Sequence, residues 1–331
     1  MEEHTLSEKI SIYEEIIKNK PLSVLPNTLY FAYLSLAEKY EKVLDYAMQF
    51  SMDTNKTNIL IEDFRLLGYI GKGDIKNAKT QVHYNFSIDP EDAYAYLLSG
   101  IIQKTEGKDF LEEIRKAYLF LAPKEKKILM EKMKANDAVY RAINNLDTSN
   151  LTVQKIYSEN SVFKLSAFKL SSAAYLLKTG KKEEAEVEIR KVLNLYPYYA
   201  RALNFASEIS DDHQKKADYI RKLFEVNPLS VYLDGKESIF LQKDEKAMRD
   251  ELRKLFESNN PFIAFFQKMM IPKETPKEEV LSDESIPKTT KEWVKPSEKN
   301  SQMDGFNELK NKKYVEALIE FIKILKKEAK Q

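Results

Sequence analysis

No cysteine occurs among the 331 residues. Disulfides, thiolate nucleophiles, iron–sulfur clusters and cysteine-bound zinc are therefore excluded. An excess of either charge is also lacking: 53 Lys and Arg face 52 Asp and Glu, a formal charge of +1. Nucleic-acid binders gain affinity by neutralising phosphates and releasing counterions, so this balance speaks against such a partner. Long apolar runs are missing as well. The most apolar stretch, "PFIAFFQKMM" from Pro261 to Met270, falls well short of the roughly 20 residues that cross a bilayer. No membrane insertion is expected. The opening "MEEHTLSEKISIYEE" has acids where a signal peptide needs bases, and a cytoplasmic protein is the expectation.

Glycine is scarce too, at 8 residues, yet five of them fall between Gly68 and Gly107. A phosphate-cradling loop is one reading of "GYIGKGD". It lacks the Gly-Lys-Ser/Thr ending and a preceding strand. Spacing gives a different answer. Gly73 is followed five residues on by Ala78 and twelve later by Pro90, and Gly180, Ala185 and Pro197 repeat those steps. Gly73 to Gly107 and Leu66 to Gly100 are each 34 residues, and Pro90 to Pro123 is 33. A phosphate loop has no reason to echo itself. A period near 34 marks an array of helical hairpins.

One unit shows the physics. In "SSAAYLLKTGKKEEAEVEIRKVLNLYPYYA", an apolar helix runs up to Gly180, which suits a left-handed cap. A second helix carries Ala185, Ile189, Val192 and Val187 on one face. Glu183 and Glu184 lie in its first turn, at the positive helix end. Pro197 stops it. Ala173 and Ala185 are small where two helices approach closely.

These residues resemble the tetratricopeptide repeat family. Leu66, Tyr69, Gly73, Ala78 and Pro90 match in one unit, and Tyr96, Gly100, Gly107 and Pro123 in the next, where Glu112 replaces a small residue. Ala173, Gly180, Ala185 and Pro197 carry a third unit; Leu203, Ala206, Ala217 and Pro228 carry a fourth with a shortened turn. Gly305, Tyr314, Ala317 and Phe321 supply a last hairpin. The resemblance implies an all-α solenoid whose concave face, lined by the first helix of each hairpin, holds peptides. By that mapping Asp63, Leu67, Tyr94, Leu97, Ala174, Arg201, Asn204 and Glu208 form the groove. Arg201 is matched to a partner's carboxylate and Asn204 to its backbone. Family members that clamp chaperone tails use a Lys and an Asn beside a first-helix glycine; Phe306 and a displaced Asn307 follow Gly305 here.

The expected organisation is an atypical helical cap over 1–52, a repeat array over 53–270, a linker over 271–300 and a final hairpin over 301–331. The cap divides near Pro21 and Pro26, and 124–165 is helical but off period. The linker holds Pro272, Pro276, Pro287 and Pro296 and the single tryptophan, Trp293. Its composition buries too little apolar surface to offset the ordering of its backbone. The final hairpin is expected to dock, since Tyr314, Leu318, Phe321, Ile322 and Leu325 otherwise form a bare stripe.

Other chemistry finds thin material. His4, His83 and His213 are isolated and lack metal-ligand spacing. The basic clusters at 124–127 and 325–330 have acids close by, and "FIAFFQKMM" reads as a buried closing helix or an adaptable partner site. No metal, cofactor or catalytic residue is assigned. The function expected is a non-enzymatic scaffold for a protein or peptide partner. The alternatives are an RNA-binding helical-repeat protein and an enzyme with a site hidden in 124–165.

Overall fold

The computed structural model describes residues 5–54, 57–146, 161–233, 235–236 and 241–271. All belong to one compact unit, Met1–Glu274. His4, Trp293, the linker beyond Ile271 and the final hairpin lie outside the described residues. Among those described, every regular element is helical.

Four hairpins stand where the period placed them. Helix α4 (Ile59–Gly71) pairs with α5 (Ile75–Ile88), and α6 (Ala93–Thr105) with α7 (Leu111–Phe120). Helix α10 (Ser161–Lys178) pairs with α11 (Lys182–Leu195), and α12 (Ala200–Ile209) with α13 (His213–Val226). The first three turns carry Gly73, Gly107 and Gly180 at φ 76°, 70° and 79°, a region where any Cβ is strained. Gly100 serves packing instead. A Cβ there would lie 2.5 Å from Cδ1 of Ile114, so its absence lets α6 and α7 close on each other. Helices α5, α11 and α13 each end two residues before Pro90, Pro197 and Pro228, as the ring's clash with helical geometry requires.

Elsewhere the sequence reading needs correction: Val187, expected on the apolar face of α11, is 40% exposed, and only Ala185, Ile189 and Val192 are buried there. Helix α1 (Leu6–Asn19) is as expected, with a Thr5–Glu8 capping box. Pro26, however, divides nothing. It sits in the first turn of α2 (Val24–Leu36), where its missing N–H has no helical partner to lose. The α1–α2 break falls around Pro21 as expected, and a second, unexpected break precedes α3 (Tyr40–Thr54) at Glu38, whose φ is 56°. Beyond α7, α8 (Pro123–Met133) and α9 (Asp137–Asn144) form a further pair.

Packing is not confined to neighbours along the chain. A large core joins α1–α9 to α12–α13 and to the closing helices α14 (Lys243–Asn259) and α15 (Pro261–Met270), while α10 and α11 share a smaller core with α12. Helix α14 fastens the N-terminus. Glu251 accepts hydrogen bonds from Lys9 at 2.6 Å, Tyr13 at 2.7 Å and Tyr33 at 2.6 Å. Burial pushes its carboxyl pKa up, but those three donors outweigh burial and hold it below the ordinary carboxylate value. Its contribution to stability is therefore complete above the unfolded value of about 4.3 and is lost as pH falls through the lower folded value. Glu251→Ala strands two tyrosine hydroxyls, and an expected loss of about 2 kcal/mol follows. A thermal melt at pH 7 checks this, and a difference from the parent that shrinks below pH 4 separates charge loss from packing loss.

Candidate functional site

Of the helices that carry the nominated residues, α6 is packed against α15, and Phe64 of α4 also meets it. Helix α15 lies against α2, α6 and α8. Phe262 stacks on Phe64 at 4.6 Å and on Tyr94 at 4.4 Å between ring centroids. Asn260 caps α15 through the Phe262 and Ile263 amides and donates to the Tyr94 hydroxyl at 3.1 Å and to Glu125 at 3.2 Å. At the far end, Lys104 donates to the carbonyl of Met269 at 2.8 Å and Asn136 to that of Met270 at 2.9 Å. Lys268 pairs with Glu38 at 2.5 Å. "PFIAFFQKMM" is thus a buried closing helix with both ends satisfied, and it occupies ground a partner peptide was expected to use.

The eight nominated residues divide accordingly. Leu67 and Leu97 are wholly buried in the core. Ala174 is half-buried on the α10–α11 hairpin, whose core is the smaller one. Asn204 is buried and already donates to Glu208 at 2.9 Å, while Lys236 donates to it at 2.7 Å. Glu208 is exposed. Arg201 holds a carboxylate as its sequence role required, but the carboxylate belongs to this chain: Glu91, at 3.0 Å. Asp63, Tyr94 and Arg201 come together at one cavity.

That half-enclosed cavity has a volume of about 400 Å³. Its walls come from α4, α6, α7, α8, α12 and the residues that follow α13. The α5–α6 connection, "DPED", places Asp89, Glu91 and Asp92 on it, and α8 adds Glu125. Phe120 and Tyr232 form apolar wall. Each acid has a local structural reason to be there. Asp92 caps α6 through the Tyr94 and Ala95 amides at 3.0 and 3.2 Å, the usual role of Asp at that position. Asp89 turns the chain by accepting from the Glu91 amide at 2.9 Å. Glu125 accepts from the Ala122 amide at 3.0 Å and from the Tyr94 hydroxyl.

Behind the cavity, a buried polar chain crosses three helices, α3, α4 and α5. Ser51 donates to Glu62 at 2.8 Å, Gln81 to Glu62 at 2.7 Å and to Asn85 at 2.8 Å, and Asn85 to Asp63 at 2.8 Å. The remaining oxygens, Oδ2 of Asp63 and Oδ2 of Asp92, are buried without a donor. The two carboxyls lie within hydrogen-bonding reach of each other, so a proton on one satisfies both. Burial, followed by the charge of Asp92, pushes Asp63 well above the usual range. Burial also lifts Asp92 to about 6, against the pull of its hydrogen bonds. Asp89 rises to about 8, through burial first and then the Glu91 carboxylate.

The sequence reading missed Asp89, Glu91, Asp92, Glu125 and Tyr232. The run Asp-Pro-Glu-Asp was its one visible signal, and only Pro90 was read there, as a matched position of the repeat. His83 and His213 are exposed. No cluster of His or acidic side chains among the described residues can hold a metal ion, and no described helix is long and apolar enough to cross a membrane. In the 124–127 cluster, Lys124 pairs with Glu257 at 2.6 Å and Lys126 donates to the Leu119 carbonyl at 3.0 Å. No protein-family model matches this chain, and no curated protein matches it either.

Proposed function

We propose that the chain is a non-enzymatic, tetratricopeptide-like solenoid scaffold of the cytoplasm, and that a peptide or protein partner docks at the mouth of the acidic cavity. One observation supports this above the others: Asp63, Tyr94 and Arg201, nominated from three separate hairpins, line a single cavity left open beside α15. Repeat arrays offer such surfaces because residues from successive hairpins converge on one face. The docking ground is the cavity mouth rather than the length of α6, since α15 packs along that helix.

The RNA-binding alternative draws nothing from this cavity, where five carboxyl groups surround one guanidinium and phosphate is repelled.

Panning a random peptide library against the purified full chain tests the proposal. Enriched peptides should bind Arg201→Ala at least about tenfold more weakly, the scale of one charge-assisted contact. The ion pair lost with Glu91 is partly exposed and is worth about 1 kcal/mol or less, so folding should survive. A library that yields no enriched sequence, or peptides indifferent to Arg201, would sink the reading.

A further inference from the structure

We propose that Asp63 and Asp92 hold a single proton between their Oδ2 atoms, and that this proton is a pH-operated clasp. It joins α4 to the α5–α6 connection and, through that connection, to α12. The clasp works whether or not a partner docks at the cavity mouth.

Oδ2 of Asp63 and Oδ2 of Asp92 are both buried without a donor, and the two carboxyls lie within hydrogen-bonding reach of each other. Two ionised carboxylates do not settle in such a place, because each is left desolvated beside a like charge. One proton turns the same pair into a donor and an acceptor. The other two oxygens decide which side carries it. Oδ1 of Asp92 accepts from the Tyr94 and Ala95 amides at 3.0 and 3.2 Å, and donors at a helix N-terminus favour the charged form. Oδ1 of Asp63 accepts from the neutral Asn85 side chain at 2.8 Å. The proton therefore rests on Asp63 and is donated to Asp92.

The titratable and charged groups around the pair have other commitments. On α4, Glu62 accepts from Ser51 of α3 and Gln81 of α5 and pairs with Arg65 at 3.6 Å. On the connection, Glu91 holds Arg201 of α12 at 3.0 Å. Glu125 of α8 accepts from Tyr94 of α6 and from Asn260 at the start of α15. The tyrosines of α2 turn elsewhere, Tyr30 to the ring of Tyr46 and Tyr33 to Glu251.

Asp89 extends the clasp to a third helix. It accepts from the Ala200 amide as well as from that of Glu91. Helix α12 has no capping side chain at its own Tyr199, so the connection caps it from outside. Four consecutive residues are thereby fastened to α4 on one side and to α12 on the other. Loss of the shared proton sets two like charges face to face in a dry site. The connection yields before the packed helices do, and its hold on α12 loosens. Burial pushes both carboxyls of the pair up, so the clasp is closed at neutrality and opens on the alkaline side. The unfolded chain releases the same proton near pH 3.9. Stability from the pair is thus complete below that value and is lost as pH rises toward the folded value.

Denaturant unfolding of the parent and of Asp63→Asn at pH 6, 7 and 8 tests this. The new amide donates permanently to Asp92, while its oxygen still accepts from Asn85. The parent's unfolding constant divided by the variant's should rise about tenfold per pH unit until the pair ionises, the effect of one retained proton. Asp89 is pushed up to about 8, by burial and then by Glu91, but it titrates in both proteins and cancels in the ratio. Hydrogen exchange, corrected for its intrinsic pH dependence, gives a second reading. The first turns of α6 and α12 should lose protection at pH 9 in the parent and keep it in Asp63→Asn. A ratio that stays constant from pH 6 to pH 8, or equal protection of both proteins at pH 9, overturns the proposal. Should Asp63→Asn fail to fold, infrared spectra of Asp89→Asn at pH 7 decide. A protonated carboxyl band there supports the clasp, and its absence overturns it.

Discussion

Phe262→Ala lowers the melting temperature by about 10 °C. The ring is wholly buried and stands between Phe64 and Tyr94, with interplanar angles of 29° and 22°. Phe256 closes a third side at 6.1 Å. Truncation removes the transfer free energy of the ring, leaves a cavity that four aromatic-lined helices cannot easily collapse, and breaks two stacked pairs. Losses of this type run to about 3–5 kcal/mol, with stacking contributing about 0.5–1.5 kcal/mol per pair. In a domain of this size each kcal/mol shifts the midpoint by roughly 2–4 °C. Met269→Ala is the control on the same helix, because Met269 is 37% exposed and should move the midpoint little. A Phe262→Ala protein that melts with the parent would mean that this ring does not anchor α15 to α4 and α6.

The second large effect has the opposite sign. Asp89→Asn should stabilise the protein at pH 7 and leave it unchanged at pH 3.5. The folded carboxyl is pushed up to about 8, first by burial and then by the neighbouring Glu91 carboxylate. The unfolded chain releases the same proton near pH 3.9. Between those values the folded state binds the extra proton, so this group's contribution is complete below about pH 4 and is lost progressively as pH rises toward 8. Asparagine does not titrate and escapes that loss, while its carbonyl oxygen still accepts from the Glu91 amide. At about 1.4 kcal/mol per pH unit, and allowing for relaxation around the new amide, the gain at pH 7 should be about 2–4 kcal/mol. Melts taken at pH 3.5, 5 and 7 decide the matter. Equal midpoints at every pH would show that Asp89 is solvated and that the connection it anchors does not enclose a dry cavity.

Much of the local structure was legible in the chain. Turn glycines, small residues where helices touch, and prolines two residues past helix ends all act within one period of about 34 residues. Gly73, Gly107 and Gly180 are readable because their backbone conformation excludes almost every other residue. Glu38 is the counterexample. A glutamate in the left-handed region carries no sequence mark, and its carboxylate is met by Lys268, more than two hundred residues away. Pro26 misled for a related reason, since one residue stops a helix or starts it depending only on where the first turn begins.

The site was less legible. Asp63, Tyr94 and Arg201 could be nominated because the resemblance to the tetratricopeptide repeat maps them to one face of the first helix in each hairpin. Nothing periodic links "DPED" to α8 or α12. Arg201 and Glu91 are 110 residues apart in sequence, and Asn260 and Tyr94 are 166 apart. Helical pairing is decided by residues within a turn or two of one another, so the sequence by itself determined the hairpins, their caps and their apolar faces. Which faces meet depends on apolar area removed from water, which is non-directional and reads only the assembled surface. The tertiary structure alone therefore decided that α15 packs on α2, α6 and α8 and that five acids line one cavity.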